Sequence, residues 1–429
     1  MIRNILVAFL LITSISLVAQ RTSSSPYSFF GIGDEFNSLT VEQSSMGGIG
    51  VAFNHYKYLN FTNPAAYAHL RYTTYAFGAV NSDLTIKNGN VEQTSNSTSL
   101  SYVALAFPIG EKAGFSFGLQ PISSVGYSIS NTEFDASGVA TEINILSGTG
   151  GINRVYGSFG MKLFKNVSVG IEADYSFGNV EHNIVNQRAN VSLATKNNET
   201  LIVRGGSVTL GTQYQKVLKN DLVVNAGATL KLGNELDVTG NDYLYTLTFS
   251  NTGGETARDT LSDSSVAGKY NLPLKTIFGG GIGKFDKWYV GAEFETQDAF
   301  QTTNLNNISN ATFKYGESNR FSLGGFYIPK INSISSYWQR VTYRAGLRLE
   351  KTGLLIDSSG NSSNFTSVND FGISFGLGLP LKQLSNINMG FEFGKRGSTE
   401  NNLIQENYFN FRLSLSLTDT GWFIKRKID

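Results

Sequence analysis

The residues with the most chemistry to offer stand two or four apart. Arg340, Arg344, Arg348 and Glu350 recur at even spacing, as do Glu172 with Asp174 and Glu293 with Glu295; Arg154, Arg320, Glu392 and Arg412 sit in similar surroundings. Side chains alternate faces along an extended strand, so residues two apart share one face. Between the arginines lie Val341, Tyr343, Ala345, Leu347 and Leu349, which puts charge on one face and apolar groups on the other. A charged file of this kind can line a selective pore. It can also pair internally and fill the space it faces. The two signs are balanced, and an unpaired ladder of buried arginines is costly, so the paired network is the stronger expectation.

Catalysis has little to work with. The three histidines, His55, His69 and His182, are far apart in sequence. Asp174, Ser176 and His182 share a parity, but six residues of extended chain beyond Ser176 span about 20 Å. No enzyme, metal site or cofactor is expected from this set. The runs Gly31-Ile32-Gly33, Gly47-Gly48-Ile49-Gly50 and Gly279-Gly280-Gly281 open no helix after a parallel strand, so they do not read as phosphate cradles. Glycine here is expected to let a neighbouring backbone approach closely.

The elements that carry these files are strands. Val167, Val169, Ile171, Ala173, Tyr175 and Phe177 alternate with Ser168, Gly170, Glu172, Asp174 and Ser176. The same pattern returns at the end, with Phe409, Phe411, Leu413, Leu415 and Leu417 against Tyr408, Asn410, Arg412, Ser414 and Ser416. Fourteen strands are expected, near 70–80, 98–108, 113–130, 152–164, 166–185, 201–217, 221–238, 272–284, 287–299, 312–328, 338–352, 367–380, 386–396 and 404–417. Breaks after the even-numbered strands are short, from Pro108–Lys112 to Leu381–Ser385. Those after the odd-numbered ones are longer and rich in Asn, Ser and Thr, the longest being 239–271, to whose loop 243–249 is assigned. An even number of two-faced strands with short turns at one end and long loops at the other is the pattern of a transmembrane β-barrel of the bacterial outer membrane, all-β, with both termini in the periplasm.

Composition agrees. The chain has 46 Gly, 30 Phe and 20 Tyr but no Cys and only 16% charged residues, and beyond the N-terminus no segment has the roughly 18 apolar residues of a membrane helix. A soluble sandwich would use shorter strands and would not expose such long apolar faces. Trp288, Val290, Ala292 and Phe294 are expected to face lipid, as are Phe371, Ile373, Phe375, Leu377 and Leu379; Tyr337, Trp338, Trp422 and Phe423 suit an interfacial girdle. Residues 1–19, with Arg3 before the apolar Ile5–Ile12, read as a secretory signal peptide, and without Cys there is no lipid anchor. A net charge of +1 gives no reason to expect nucleic acid. Residues 20–66 break the strand rhythm and read as a compact segment buried in the lumen, ahead of the barrel at 67–417 and a basic tail at 418–429.

Met46-Gly47-Gly48-Ile49-Gly50-Val51-Ala52, then Asn63-Pro64-Ala65 before the first strand, resembles the FadL/TodX family of outer-membrane transporters for long-chain fatty acids and other hydrophobic compounds. Leu272-Pro273, Lys287-Trp288 and Asn319-Arg320-Phe321 extend the resemblance over the mature chain. It implies a fourteen-stranded barrel plugged by an N-terminal hatch, with Gly47, Gly48, Gly50, Asn63, Pro64 and Ala65 as its motif. It further implies a lateral opening at the third strand, here around Gly118, Gln120, Pro121 and Gly126, with Val125 facing out. On that reading a hydrophobic small molecule or lipid is captured by Tyr243, Leu244, Tyr245, Leu247 and Phe249. It then passes to a pocket by Phe29, Phe30 and Phe53, and leaves sideways into the outer-membrane lipids. A monomer is expected. The alternative is an accessory barrel that transports nothing and docks an envelope protein partner in an assembly or secretion complex. The tail Lys425-Arg426-Lys427 and the Phe-rich Tyr27–Phe30 depart from the family pattern.

Overall fold

Alternation along the chain decides which way each strand faces. Phe371, Ile373 and Phe375 are exposed on the outer surface, whereas Ser374 between them is buried on the inner one. The computed structural model describes residues 24–89, 91–250, 254–303, 305, 312–359 and 361–419. The leader at 1–19, nearly all of the tail, and Trp422 and Phe423 lie outside the described residues.

The described chain forms a closed antiparallel barrel of fourteen strands. They are β1 (Thr73–Asn88), β2 (Val91–Ile109), β3 (Ala113–Phe134), β4 (Ala140–Phe164), β5 (Val167–Arg188) and β6 (Ala194–Val217). Four interrupted strands follow: β7 (Leu222–Lys231 and Asn234–Phe249), β8 (Glu255–Leu272 and Lys275–Lys284), β9 (Trp288–Gln297 and Gln301–Thr303) and β10 (Phe313–Tyr315 and Ser318–Tyr327). The last four are β11 (Thr342–Ile356), β12 (Thr366–Pro380), β13 (Asn386–Gly397) and β14 (Gln405–Asp419). β14 closes on β1 from Gln405↔Lys87 to Asp419↔Thr73. Pro273 brings no N–H to the ladder, and β8 breaks there beside the break of β7 at Gly233.

Each of the fourteen expected strands is present, but those at the long-loop end reach further than alternation alone suggested. β4 runs for 25 residues, where roughly 9–11 suffice to cross a bilayer. Most of the described part of 239–271, expected as a loop, is strand: Asn234–Phe249 pairs with Glu255–Leu272, and Ala194–Arg204 of β6 pairs with Asp237–Leu247. Polar outer positions such as Thr239 and Asn241 hid it, since the apolar face that marks a membrane strand ends where the strand leaves the bilayer.

Residues 24–72 lie against the inward faces. Pro26–Phe29 and Pro64–His69 form 3-10 turns, and α1 (Val41–Ser44) is a single turn held by a capping box between Thr40 and Gln43. Tyr67, Leu70 and Phe61 of this segment pack against Tyr102 and Tyr156 of the wall, and Met46, Ile49 and Phe53 against Tyr289.

Candidate functional site

The Gly and Asn positions of the N-terminal motif are contact points with the wall. Gly47 and Gly48 have φ of 72° and 90°, and a side chain on Gly47 would meet the Leu347 carbonyl at 2.6 Å. The Gly47 amide donates to Ser374 Oγ at 2.9 Å, while those of Gly50 and Val51 donate to Glu293 Oε2 at 2.8 and 2.7 Å. Asn63 Nδ2 donates to the carbonyls of Val51 and Thr212 at 2.7 and 3.0 Å, and its Oδ1 accepts the Ala65 amide at 3.0 Å. Pro64 sits against Gly211, whose missing side chain makes room for the ring. A carboxylate, an amide and three glycines thus fix this segment at both its turns.

The inward charges of the wall are paired. Arg154 lies 3.1 Å from Glu172 and 3.7 Å from Asp174, and gives Gln120 two hydrogen bonds of 3.0 and 2.8 Å. Arg320 holds Glu295 at 2.5 Å and Glu293 at 3.7 Å. Arg348 reaches Glu350, Asp370 and Glu392 at 2.5, 3.0 and 3.2 Å, and Glu392 also takes Arg412 at 2.5 Å. Lys231, Lys275, Arg396 and Glu406 complete the belt. The last two share the parity of Glu392 and Arg412, so the alternation already carried the signal for them. Two expected members differ. Arg340 is exposed in a 3-10 turn ahead of β11, over the Tyr337 ring at 5.2 Å, because the strand begins only at Thr342. Arg344 points inward but donates to Asn388 Oδ1 at 3.2 Å, without a carboxylate within 4.0 Å among the described residues.

The belt leaves one sector uncharged. Along Thr74–Ile86, Gln93–Ala106 and Gly114–Ile129, the inward faces of β1, β2 and β3 carry no Asp, Glu, Lys or Arg. A cavity of about 220 Å³ lies there, with Leu39, Val80, Leu84, Leu100 and Pro121 on one side and Arg348 with its partners on the other.

The same sector holds a seam. β2 and β3 pair only from Val103↔Leu119 to Ile109↔Ala113. Among the described residues no ladder joins Val91–Tyr102 to Gln120–Phe134. Pro121 is the second residue past the last pair, and the register of β3 with β4 slips between Pro121 and Ser123. That slip reverses the faces. Val125, expected outward, is buried inward with Val180 and Tyr127. Gly118 lies within the paired wall opposite Ala104 and so does not line the seam as expected, whereas Gln120, the first residue past the last pair, points inward and is held by Arg154. The free edge of β3 is covered from inside. Asp34 and Glu35 pair with Ser124 and Ser123, the Phe36 amide donates to the Ile122 carbonyl at 2.9 Å, and the Gly126 amide to Ser28 Oγ at 3.1 Å. Higher up, a cavity of about 590 Å³ separates Gln93–Thr98 from Gly126–Ser130.

The expected ligand contacts are not gathered in one place. Phe29 packs edge-on to Phe30 at 5.2 Å and to Tyr127 at 5.3 Å, near the seam. Phe53 lies towards the short-turn end against Tyr289 at 5.3 Å. Tyr243 and Tyr245 stack at 4.8 Å on the wall of β7, Leu247 is buried with Val185 and Ala194, and Phe249 is exposed. His182 Nδ1 bonds Tyr127 Oη at 2.8 Å, whereas Asp174 accepts from Ser207 at 2.7 Å. Asp34 and Ser28 gave no signal in the sequence, since pairing across the lumen has no local pattern.

Solved structures share this fold. A toluene transporter, TodX of Pseudomonas putida, is 15% identical with a TM-score of 0.60, covering 90% of this chain and 99% of that one. The CymD monoaromatic hydrocarbon channel is 14% identical with a TM-score of 0.56, over 91% and 99%. A FadL homologue of Pseudomonas aeruginosa is 12% identical with a TM-score of 0.55, over 90% and 98%. At these identities the likeness shows the fold. No curated protein matches the chain. A family model described as BamG matches residues 1–429.

Proposed function

This chain belongs to the BamG family, and from its fold and its seam we propose that it is an outer-membrane barrel passing a small hydrophobic molecule between its lumen and the bilayer. The observation that carries this reading is the coincidence of the seam with the uncharged sector. An apolar molecule is repelled by a belt of desolvated ion pairs but not by Leu84, Leu100 and Pro121. Sideways release keeps it out of water. Residues 20–66, once the leader at 1–19 is removed, act as the plug that closes the direct route. The short turns face the periplasm together with both termini, and the barrel works as a monomer. Solved neighbours carry such cargo by name, a monoaromatic hydrocarbon channel and a toluene transporter. The test is uptake of radiolabelled toluene and of oleate by cells with and without the protein. Accumulation that depends on the protein supports the proposal; equal accumulation of both probes overturns it.

A second reading, an accessory subunit docking another envelope protein, is favoured by the tall polar rim. β4, β5 and β6 run for 25, 22 and 24 residues, and their upper parts are tied by side-chain amides. Asn198 donates to Glu181 and Asn183 at 2.7 and 2.8 Å, and Asn197 to Asp242 at 2.6 Å. So ordered a polar surface resembles an interface more than a loose loop. Native mass spectrometry of gently extracted protein separates the readings: a stoichiometric protein partner supports this one.

A further inference from the structure

At the short-turn end a cavity of about 370 Å³ opens between the N-terminal segment and the wall, within the roughly 300–1,000 Å³ typical of ligand sites. Its inner side carries Arg344 and Glu42, which are 5% and 3% exposed. Unlike Glu172, Asp174, Glu293 and Glu295, which face a cation, and the arginines of the belt, neither forms an ion pair among the described residues. Arg154, Arg320, Arg348, Arg396 and Arg412 each have a carboxylate within 4.0 Å; Arg344 has none among the described residues. Glu42 Oε1 accepts from Asn388 at 2.8 Å and Ser416 at 3.2 Å, while its Oε2 is buried without a donor. Asn388 stands between the two, its Oδ1 taking Arg344 and its Nδ2 serving Glu42. A cation and an anion are therefore held one amide apart, each with bonding capacity left over, and both line the same cavity. Leaving such groups buried and unmatched is expensive.

We propose that this cavity binds a zwitterionic phosphoethanolamine group, with its phosphate on Arg344 and its ammonium on Glu42. Lys57, whose Nζ lies 5.2 Å over the Tyr58 ring, adds positive charge on the phosphate side. Tyr58 also faces the Arg344 guanidinium at 5.6 Å and fixes its plane. Asp286, the other carboxylate of the cavity, is engaged by Tyr56 at 3.1 Å and His55 at 3.7 Å, so it does not compete for the ammonium. The outer side is apolar, with Ile328, Ile331, Pro380, Leu381 and Leu384. Ile331, Leu381 and Leu384 are exposed there, and so is the neighbouring Trp338. A rim of that kind suits acyl chains entering from a bilayer leaflet, which makes a phospholipid the source of the group. The site lies at the opposite end from the seam cleft and stands whether or not the barrel transports.

The test uses the full-length barrel, delipidated in detergent and checked for heat-modifiability. Native mass spectrometry is run with dihexanoyl phosphatidylethanolamine, dihexanoyl phosphatidylglycerol and free phosphoethanolamine. The phosphatidylethanolamine adduct is expected to exceed the other two at least tenfold. R344M removes it and R344K keeps part of it, which separates lost charge from lost fold. E42Q erases the preference over phosphatidylglycerol. Equal binding of phosphatidylglycerol overturns the zwitterion assignment, equal binding of free phosphoethanolamine overturns the lipid source, and no adduct with any probe overturns the site.

Discussion

Arg396 on β13 donates to Asp34 at 2.6 Å, tying the far wall to the two residues that cover the free edge of β3. The same guanidinium meets Glu406 at 2.7 Å and Ser25 Oγ at 2.6 Å, so one side chain latches both ends of the 25–35 stretch.

R396Q should therefore loosen that stretch while leaving the barrel folded. Breaking a buried pair on one side costs on the order of 3–5 kcal/mol, here shared with the remaining hydrogen bonds. Hydrogen exchange at residues 28–36 is expected to quicken at least tenfold, with the ladders of β5 and β6 unchanged. Unaltered exchange would show that the ladder to Ser123 and Ser124 holds by itself.

Asn63 makes a similar prediction at the other turn. N63A leaves the Val51 and Thr212 carbonyls and the Ala65 amide without their present partner, at roughly 1–3 kcal/mol for each group that stays buried. G211V drives a side chain into the Pro64 ring. Both variants should expose 24–70 to protease in the folded barrel, G211V more than N63A. Resistance equal to wild type would contradict the contact assignments.

His55 gives the fold a pH dependence. Burial holds its imidazole near pKa 4, below the ordinary 6.5, despite Asp286 beside it. Its Nδ1 accepts the Lys57 amide at 3.3 Å, which requires the neutral ring. Between pH 6.5 and 4 the unfolded chain binds the proton first. This contribution is therefore whole above 6.5 and is lost as pH falls towards 4, on the order of 2–3 kcal/mol. Urea unfolding at pH 7.5 and 4.5 should show that loss in wild type and a smaller one in H55Q. The same loss in both would assign it to other groups.

Much of the barrel was legible because lipid contact writes a period of two into the sequence. Phe371, Ile373 and Phe375 declare the lipid face of β12, and Glu392 and Arg412 the inner faces of β13 and β14. The record stops where lipid stops, which is why Thr239–Leu247 passed for a loop. It also fails at a bulge: one extra residue at Ile122 turned Val125 inward, and no local pattern announced it. Pro121 did mark the place where the wall comes apart. The site was less legible, because Arg396, Asp34 and Ser25 meet across more than 360 positions of sequence.

If the seam between β2 and β3 is the exit, holding it shut stops uptake. The chain has no native cysteine, so Ser97 and Ser128, which face the same cleft, can be replaced singly and together by cysteine. A cleavable bis-maleimide would then bridge the double variant in the folded barrel. Uptake of toluene and oleate should fall to the level of cells lacking the protein when the bridge is closed and return when it is cleaved, with either single variant unaffected. Uptake by the bridged barrel at the unbridged rate would contradict the account.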